Sequence, residues 1–228
     1  MLTIPNKGVR AVLRYALPFV CIPAAVIVGA LVLDEKGYLL MAFLVALLSL
    51  AVFLTGFEKK QTGSRRLVIA SVLIALSVAG RFIPLLKPVT AVTVLAAVYL
   101  GGETGFLVGS LSAFLSDFYF GQGPWTPFQM LAWGLIGLCA GFLSKPLQKR
   151  RWLLLLYGAV SGAVFSLVMD VWTVLWYGGG FDLALYRTAI ITAVPHTVAY
   201  ILGNCLFLYL LARPFGEKLT RIKIKYGV

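Results

Sequence analysis

All but four of the chain's 20 Lys and Arg residues fall into clusters that alternate with apolar segments, so that the clusters share one side of a ladder. The clusters are Lys7, Arg10 and Arg14; Lys59, Lys60, Arg65 and Arg66; Lys145, Lys149, Arg150 and Arg151; and Arg213, Lys218, Arg221, Lys223 and Lys225. The exceptions, Lys36, Arg81, Lys87 and Arg187, occupy the intervening turns. Short loops rich in Lys and Arg are held on the cytoplasmic side of a membrane. The ladder therefore predicts both a number of crossings and an orientation, with both termini cytoplasmic.

Composition demands such an arrangement. The chain is 61% hydrophobic and 12% charged, against roughly 25% charged in a soluble domain, so most of its surface must lie in lipid. The net charge of +12 belongs to loops beside anionic lipid and not to a nucleic-acid surface, because the charges cap apolar spans and form no continuous basic face. Cys21, Cys139 and Cys205 fall in separate apolar segments, with no CxxC pair or Cys/His cluster, so neither a disulfide framework nor a metal site is expected. The first apolar stretch is about 20 residues long and ends in Val-Leu-Asp-Glu, without a small-residue cleavage pattern. A retained span is expected there, not a signal peptide.

Eight spans are expected, at about 12–33, 38–56, 67–86, 89–100, 105–119, 127–144, 152–177 and 187–212. Backbone in hydrocarbon must satisfy its own hydrogen bonds, and no run of about ten alternating residues suggests a barrel, so the spans are read as helices. The fold class is an all-α integral membrane protein. Residues 1–56 form a two-helix N-terminal extension, 57–66 a basic cytoplasmic linker, and 67–228 a six-helix core with a basic tail. The fourth span, at about 18 Å, is short of a roughly 30 Å hydrocarbon core, so it is tilted, broken or partly buried in protein.

Small residues recur at close-approach spacing: Ser71, Ala75 and Ala79; Gly105, Gly109 and Ala113; Gly137 and Gly141; Gly158 and Gly162. Such stripes let helices meet inside one bundle, or meet a partner protein where they face outward. Sequence leaves open which stripe does which.

Polar and ionisable side chains at membrane depth mark candidate sites. Asp117, Gln129, Asp170 and His196 all fall in the outer half, Asp170 about 10 Å and His196 about 14 Å below the outer ends of their spans. Ser166, Asp170, Thr173 and Tyr177 share a helix face. Thr192, His196, Tyr200 and Asn204 recur every fourth residue. Two polar faces leading inward suggest a cavity open to the exterior; alternatively, Asp170 and His196 pair and lock the bundle. The outer loop around Tyr119, Gln122 and Trp125 adds aromatic walls and a hydrogen-bonding group, the lining of a partly apolar ligand site, although such aromatics also serve as a membrane belt. Arg81, Lys87 and Arg187 ring the outer mouth, as anchors or as ligand contacts.

Catalytic signatures are absent. There is no GxxxxGK[ST], HExxH or GxSxG motif, and His196 is the one histidine. No acid in the inner half matches those in the outer half, and no half-to-half repeat is evident, which disfavours a proton-coupled carrier. The pattern is that of a protein that captures a solute from outside, the rival being a self-sufficient secondary carrier.

The stretch from Leu67 to Gly141 resembles the S components, the substrate-binding membrane subunits, of energy-coupling factor (ECF) transporters. The resemblance lies in Ala75-Leu76-Ser77-Val78-Ala79-Gly80-Arg81, Lys87-Pro88-Val89-Thr90-Ala91, Gly109-Ser110-Leu111-Ser112-Ala113, Gly121-Gln122-Gly123-Pro124-Trp125-Thr126-Pro127-Phe128-Gln129-Met130 and Trp133-Gly134-Leu135-Ile136-Gly137. It implies a vitamin-capturing subunit of the bacterial cytoplasmic membrane that docks on a transmembrane coupling subunit and two ATPase subunits. ATP is then used by the partners alone, and the chain carries no cofactor or catalysis of its own. It further implies that Ala75 and Ala79, with Ser71 in line, face the coupling subunit. The substrate site opens outward beneath extracellular loops, and the subunit topples in the membrane to release its cargo. The extra N-terminal pair makes the chain most similar to members proposed to take up cobalamin or related corrinoids, with queuosine precursors or another vitamin as alternatives.

Overall fold

The computed structural model describes residues 6–33, 37–56, 60–84 and 86–227. Lys36 and Lys59 lie outside the described residues. All regular structure among the described residues is helical.

The expected first span comprises α1 (Lys7–Ala16), a π-helical turn (Leu17–Cys21) and α2 (Ile22–Val32). Asn6 starts it: its Oδ1 accepts from the backbone N–H of Gly8 at 2.9 Å and of Val9 at 3.2 Å. Pro18 and Pro23 sit at the entry to the π turn and to α2. Neither has an N–H to give the helical ladder, and a widened turn absorbs the defect. Then follow α3 (Tyr38–Thr55) and α4 (Lys60–Gly80). The latter departs from expectation at both ends. Helix begins at Lys60, inside the segment expected to be a linker, and stops at Gly80, short of the expected residue 86. Pro84 and Pro88 account for the early stop, since a residue preceding proline is driven out of the α region.

Next come α5 (Val89–Leu100), α6 (Gly102–Phe120), α7 (Trp125–Phe142), the short α8 (Ser144–Lys149), α9 (Arg151–Gly178) and α10 (Leu183–Tyr226). Every residue of α5 except Tyr99 is buried, among α4, α6, α7, α9 and α10. The helix that is too short to cross lipid is encased in protein. α8 was not expected; its Leu147 is buried and its Gln148 Nε2 donates to the Val98 carbonyl at 2.7 Å. α10 continues for 44 residues through Pro195 and Pro214, so the basic tail is helical. Leu219 of that tail joins Phe53, Leu73 and Leu100 in an apolar cluster, with Phe215 and Ile222 against it. Arg65 Nη1 donates to the Tyr226 carbonyl at 2.5 Å, partnering a group that a helix end leaves bare.

Among the described residues, four helical runs are long and apolar enough to cross a membrane: Gly8–Val32, Tyr38–Thr55, Arg151–Gly178 and Leu183–Tyr226. The rods leave the described basic clusters at one end of the bundle, the basic end, and Arg81, Lys87 and Arg187 toward the other, the sparse end.

Three of the four small-residue stripes are internal. A methyl group on Gly137 would meet the Gly105 backbone at 2.5 Å, and Gly141 abuts Gly102, so the backbones of α6 and α7 touch. Gly162 faces Ile201 and Gly158 faces Leu208, which brings α9 onto α10. The fourth stripe, Ser71, Ala75 and Ala79 of α4, is exposed, as are its neighbours Val68, Val72 and Leu76.

The N-terminal pair lies against α6 and α7. Phe43 meets Phe114 edge-on with ring centroids 5.1 Å apart. At the basic end Arg14 forms an ion pair with Glu103, which is buried in the first turn of α6. Glu103 corrects the expectation of no acid in the inner half. It stands in a Gly-rich turn that sequence reads as a loop, and its charge is faced by Arg14 of the N-terminal pair and by Arg66 of α4.

Candidate ligand-binding site

The candidate side chains at the sparse end fall into three groups. The first surrounds Arg81, which is 6% exposed and follows directly on the end of α4. Its Nη1 donates to Asp117 Oδ1 at 2.6 Å and to Ser116 Oγ. Asp117, 1% exposed, also accepts from Thr126 Oγ1 on Oδ2 at 2.8 Å. The guanidinium lies 5.0 Å from the Phe120 ring centroid and 5.5 Å from that of Trp133. Arg81 thus ties α4 to α6 and α7 from within, where sequence suggested a rim. Lys87, partly buried in the α4–α5 connection, shares this field. Burial chiefly lowers its pKa and the Arg81 charge adds to that, while Asp117 opposes both.

The second group is aromatic. Trp125 at the start of α7 meets Trp172 of α9 at 5.7 Å, and Trp172 meets Tyr177 at 6.3 Å. Gln122, Pro124, Trp125 and Trp176 line a recess of about 550 Å³ whose remaining wall is Tyr38 and Leu39 of α3. Gln122 Nε2 donates to the Phe114 carbonyl at 2.9 Å. That bond fixes the α6–α7 loop, which Gly121 turns at φ 106°.

The third group lies on the α9–α10 seam, where Ser166, Asp170 and Thr197 line a cleft of about 170 Å³ with Leu167, Ile190 and Val194. The Ser166 and Thr197 hydroxyls are 2.6 Å apart. Thr173, one turn on from Asp170, donates to the Met169 carbonyl at 3.1 Å. His196 is exposed and lines none of these recesses, and no hydrogen bond or ion pair joins it to Asp170. Tyr119 is exposed too, its ring 4.6 Å from Phe82 and 5.1 Å from Phe120, in the manner of a membrane belt.

Buried polar groups in native proteins are nearly always partnered. Among the described residues, buried groups without a hydrogen-bond partner include the Ser77, Thr93 and Ser112 hydroxyls in the interior and, at the sparse end, four more: Gln122 Oε1, Gln129 Oε1, Asp170 Oδ2 and Trp172 Nε1. All four belong to the sparse-end halves of α7 and α9 or to the loop before α7. Donors and acceptors left open in one region are what a bound polar solute satisfies.

A family model described as "ECF-type riboflavin transporter, S component" matches residues 61–220. The chain belongs to this family. A UPF0397 protein of Aliivibrio salmonicida (strain LFI1238) is 34% identical over 103 residues, 44% of this chain and 55% of that relative. The chain therefore spans about half the length of the curated relative it matches. No solved structure matched the chain.

The match to S components takes in α4 to α10 and leaves α1 to α3 outside it. Every site residue named from sequence falls inside. Several that sequence passed over do so as well: Ser116 and Thr126, which complete the Arg81 node, and Trp172, Trp176 and Thr197. The two tryptophans stand four residues apart in an apolar helix, so they share a face, and that spacing was the available signal. Thr197 stands beside His196 and off the four-residue repeat that singled His196 out. Outside the match, Tyr38 and Leu39 opened an apolar span and carried no distinguishing sequence mark.

Proposed function

We propose that this S component captures a vitamin-class solute at its sparse end and delivers it across the bacterial cytoplasmic membrane, coupled to a transmembrane partner subunit and two ATPases. The sparse end is then extracellular, the basic end and both termini cytoplasmic, and the chain performs no chemistry. The observation that carries this reading is the division of the small-residue stripes. Those of α6, α7 and α9 are used up inside the bundle, whereas Ser71, Ala75 and Ala79 lie exposed on α4. Without a hydrophobic drive between helices in lipid, a bare stripe of small residues suits a protein partner's backbone, and the coupling subunit is that partner.

For the solute, aromatic walls and the open polar atoms of Gln122, Gln129, Asp170 and Trp172 favour a flat ring with a polar edge. Riboflavin, named in the family's description, has that form. The corrinoid expected from the eight-helix arrangement is bulkier, and the recess between α3 and α7 would have to widen to take it.

The test is co-expression with the coupling subunit and ATPases in vesicles. Ala75→Trp and Ala79→Trp are expected to abolish co-purification of the partners and ATP-driven uptake while leaving solute binding intact. Uptake by the wild-type chain alone, driven by an ion gradient, would overturn the proposal in favour of a secondary carrier. Absorption spectra of what co-purifies separate a flavin from a corrinoid.

A further inference from the structure

We propose that the N-terminal helix pair is a working wall of the solute site. Tyr38 and Leu39 of α3 close a cleft against Gln122, Pro124, Trp125 and Trp176 that takes the flat, uncharged conjugated ring of the solute. This rests on the function proposed above and assigns a part of the site to helices that lie outside the family match.

The seam between the pair and the core is tight at one end and open at the other. Ala42, Val45, Ser49, Val52, Phe53 and Thr55, running along α3 toward the basic end, are all buried. There Arg14 pairs with Glu103, and Gly56 sits against the Glu103 side chain. At the sparse end Tyr38 is only partly buried and Leu39 is 37% exposed, and the seam parts into the recess of about 550 Å³. A narrow apolar pocket that shares Tyr38, Pro124 and Trp176 with the recess is lined also by Gly29, Met41, Phe128 and Trp172. A pair that served only to shield α6 and α7 from lipid would close along its whole length.

The lining gives the class of ligand. None of the described residues that line the recess is charged, so they hold out no partner for a phosphate or a carboxylate. Tyr38, Trp125 and Trp176 supply ring faces, and aromatic faces prefer offset-stacked or edge-on partners over aliphatic bulk. Gln122 lies among them with an acceptor that has no donor, and Trp172 of the narrow pocket has a donor with no acceptor. A ring whose edge carries both N–H and C=O groups offers partners of both kinds. The volume falls within the range of small-molecule sites, about 300–1,000 Å³.

The test uses the full chain in lipid nanodiscs with riboflavin and, separately, cyanocobalamin as probes, read by tryptophan quenching and by equilibrium dialysis. Tyr38→Ala is expected to weaken binding of the probe that the wild type holds by about tenfold, the scale of one lost aromatic contact. Tyr38→Phe should bind as the wild type does. Leu39→Trp, which fills the cleft from an exposed position, should block binding with the melting temperature unchanged, so that a failure of Tyr38→Ala to fold does not decide the matter. Trp125→Phe with Trp176→Phe should remove most of the quench. Unchanged affinity in Tyr38→Ala and Leu39→Trp, with binding lost in Asp170→Asn, would overturn the role of the pair and leave the solute site to the core. Binding of neither probe by the wild type would overturn the flat-ring and corrinoid readings together, and this inference with them.

Discussion

At the scale of single residues, the most consequential side chain is Arg81. An Arg at the end of a membrane span is ordinarily free to reach toward the headgroups. Here it turns inward onto Asp117 and Ser116, between the rings of Phe120 and Trp133. Removing one member of a buried pair strands the other charge and costs roughly 3–5 kcal/mol, whereas replacing both by apolar groups is often neutral. Arg81→Met and Asp117→Leu should therefore each lower the melting temperature sharply in detergent, and the double variant should recover most of the loss. Lys87 carries a pH signature of its own. Burial, reinforced by Arg81, holds its pKa below the ordinary lysine value, so above the lowered pKa the unfolded chain binds more protons than the folded one. Stability then rises with pH from the lowered pKa up to the ordinary value of about 10.4. Thermal unfolding across that alkaline window should show the rise in the wild type and a flatter profile in Lys87→Met.

At the scale of elements, α6 and α7 form the tightest joint, glycine backbone on glycine backbone. Gly137→Val forces a side chain into the Gly105 backbone, and overpacking of this kind costs about 1–3 kcal/mol. Gly180→Ala, with no atom near its added methyl group, should leave the melting temperature unchanged in the same assay. The elements themselves were largely legible in sequence. Apolar length and basic punctuation placed eight helices, and α5 was read as short because its twelve residues are few. The errors sit where tertiary context overrides pattern. α4 starts early because the basic stretch is helical, and α8 forms because Leu147 finds a buried place.

The polar stripe on α10 failed for a geometric reason. At 3.6 residues per turn, four residues advance about 400°, so a strict four-residue repeat drifts by about 40° per step. Asn204 points into the bundle and donates to the Gly158 carbonyl at 3.0 Å, yet by His196 and Thr192 the repeat has swung out to the exposed side. Thr197, seven residues before Asn204, stays on the inner face and meets Ser166. The stripe on α9 mixes steps of four and three, cancels the drift, and keeps Ser166 and Asp170 in one cleft. Which small-residue stripe faces outward was not legible at all, because that depends on which helices are neighbours.

At the scale of the whole molecule, the two ends of the bundle divide the work. The basic end is knitted together by Arg14 with Glu103, by Arg65 with the end of α10, and by the apolar side of the helical tail. The sparse end carries the aromatic recess, the α9–α10 cleft and four open polar atoms, while a further recess of about 480 Å³ opens at the basic end beside Tyr99, Arg213 and Glu217. Under the function proposed above, a knitted basic end suits docking on a partner, and recesses at the sparse end suit entry of a solute. With α6 and α7 covered by the N-terminal pair, the exposed side of α4 is left as a flank of small residues on which a partner can close.

The encasement of α5 bears on how the protein is made. A helix that touches only protein has no need to match the thickness of a bilayer, yet it must enter one during synthesis. Twelve apolar residues are too few to settle there alone. The sharp bend at Gly101, at φ 104°, and the close approach of Gly105 to Ala97 fold it back onto α6, so that the two form one hairpin. One side of α5 then waits for α10, a helix that lies much later in the chain. A helix made long after α5 is thus the one that completes the centre of the bundle.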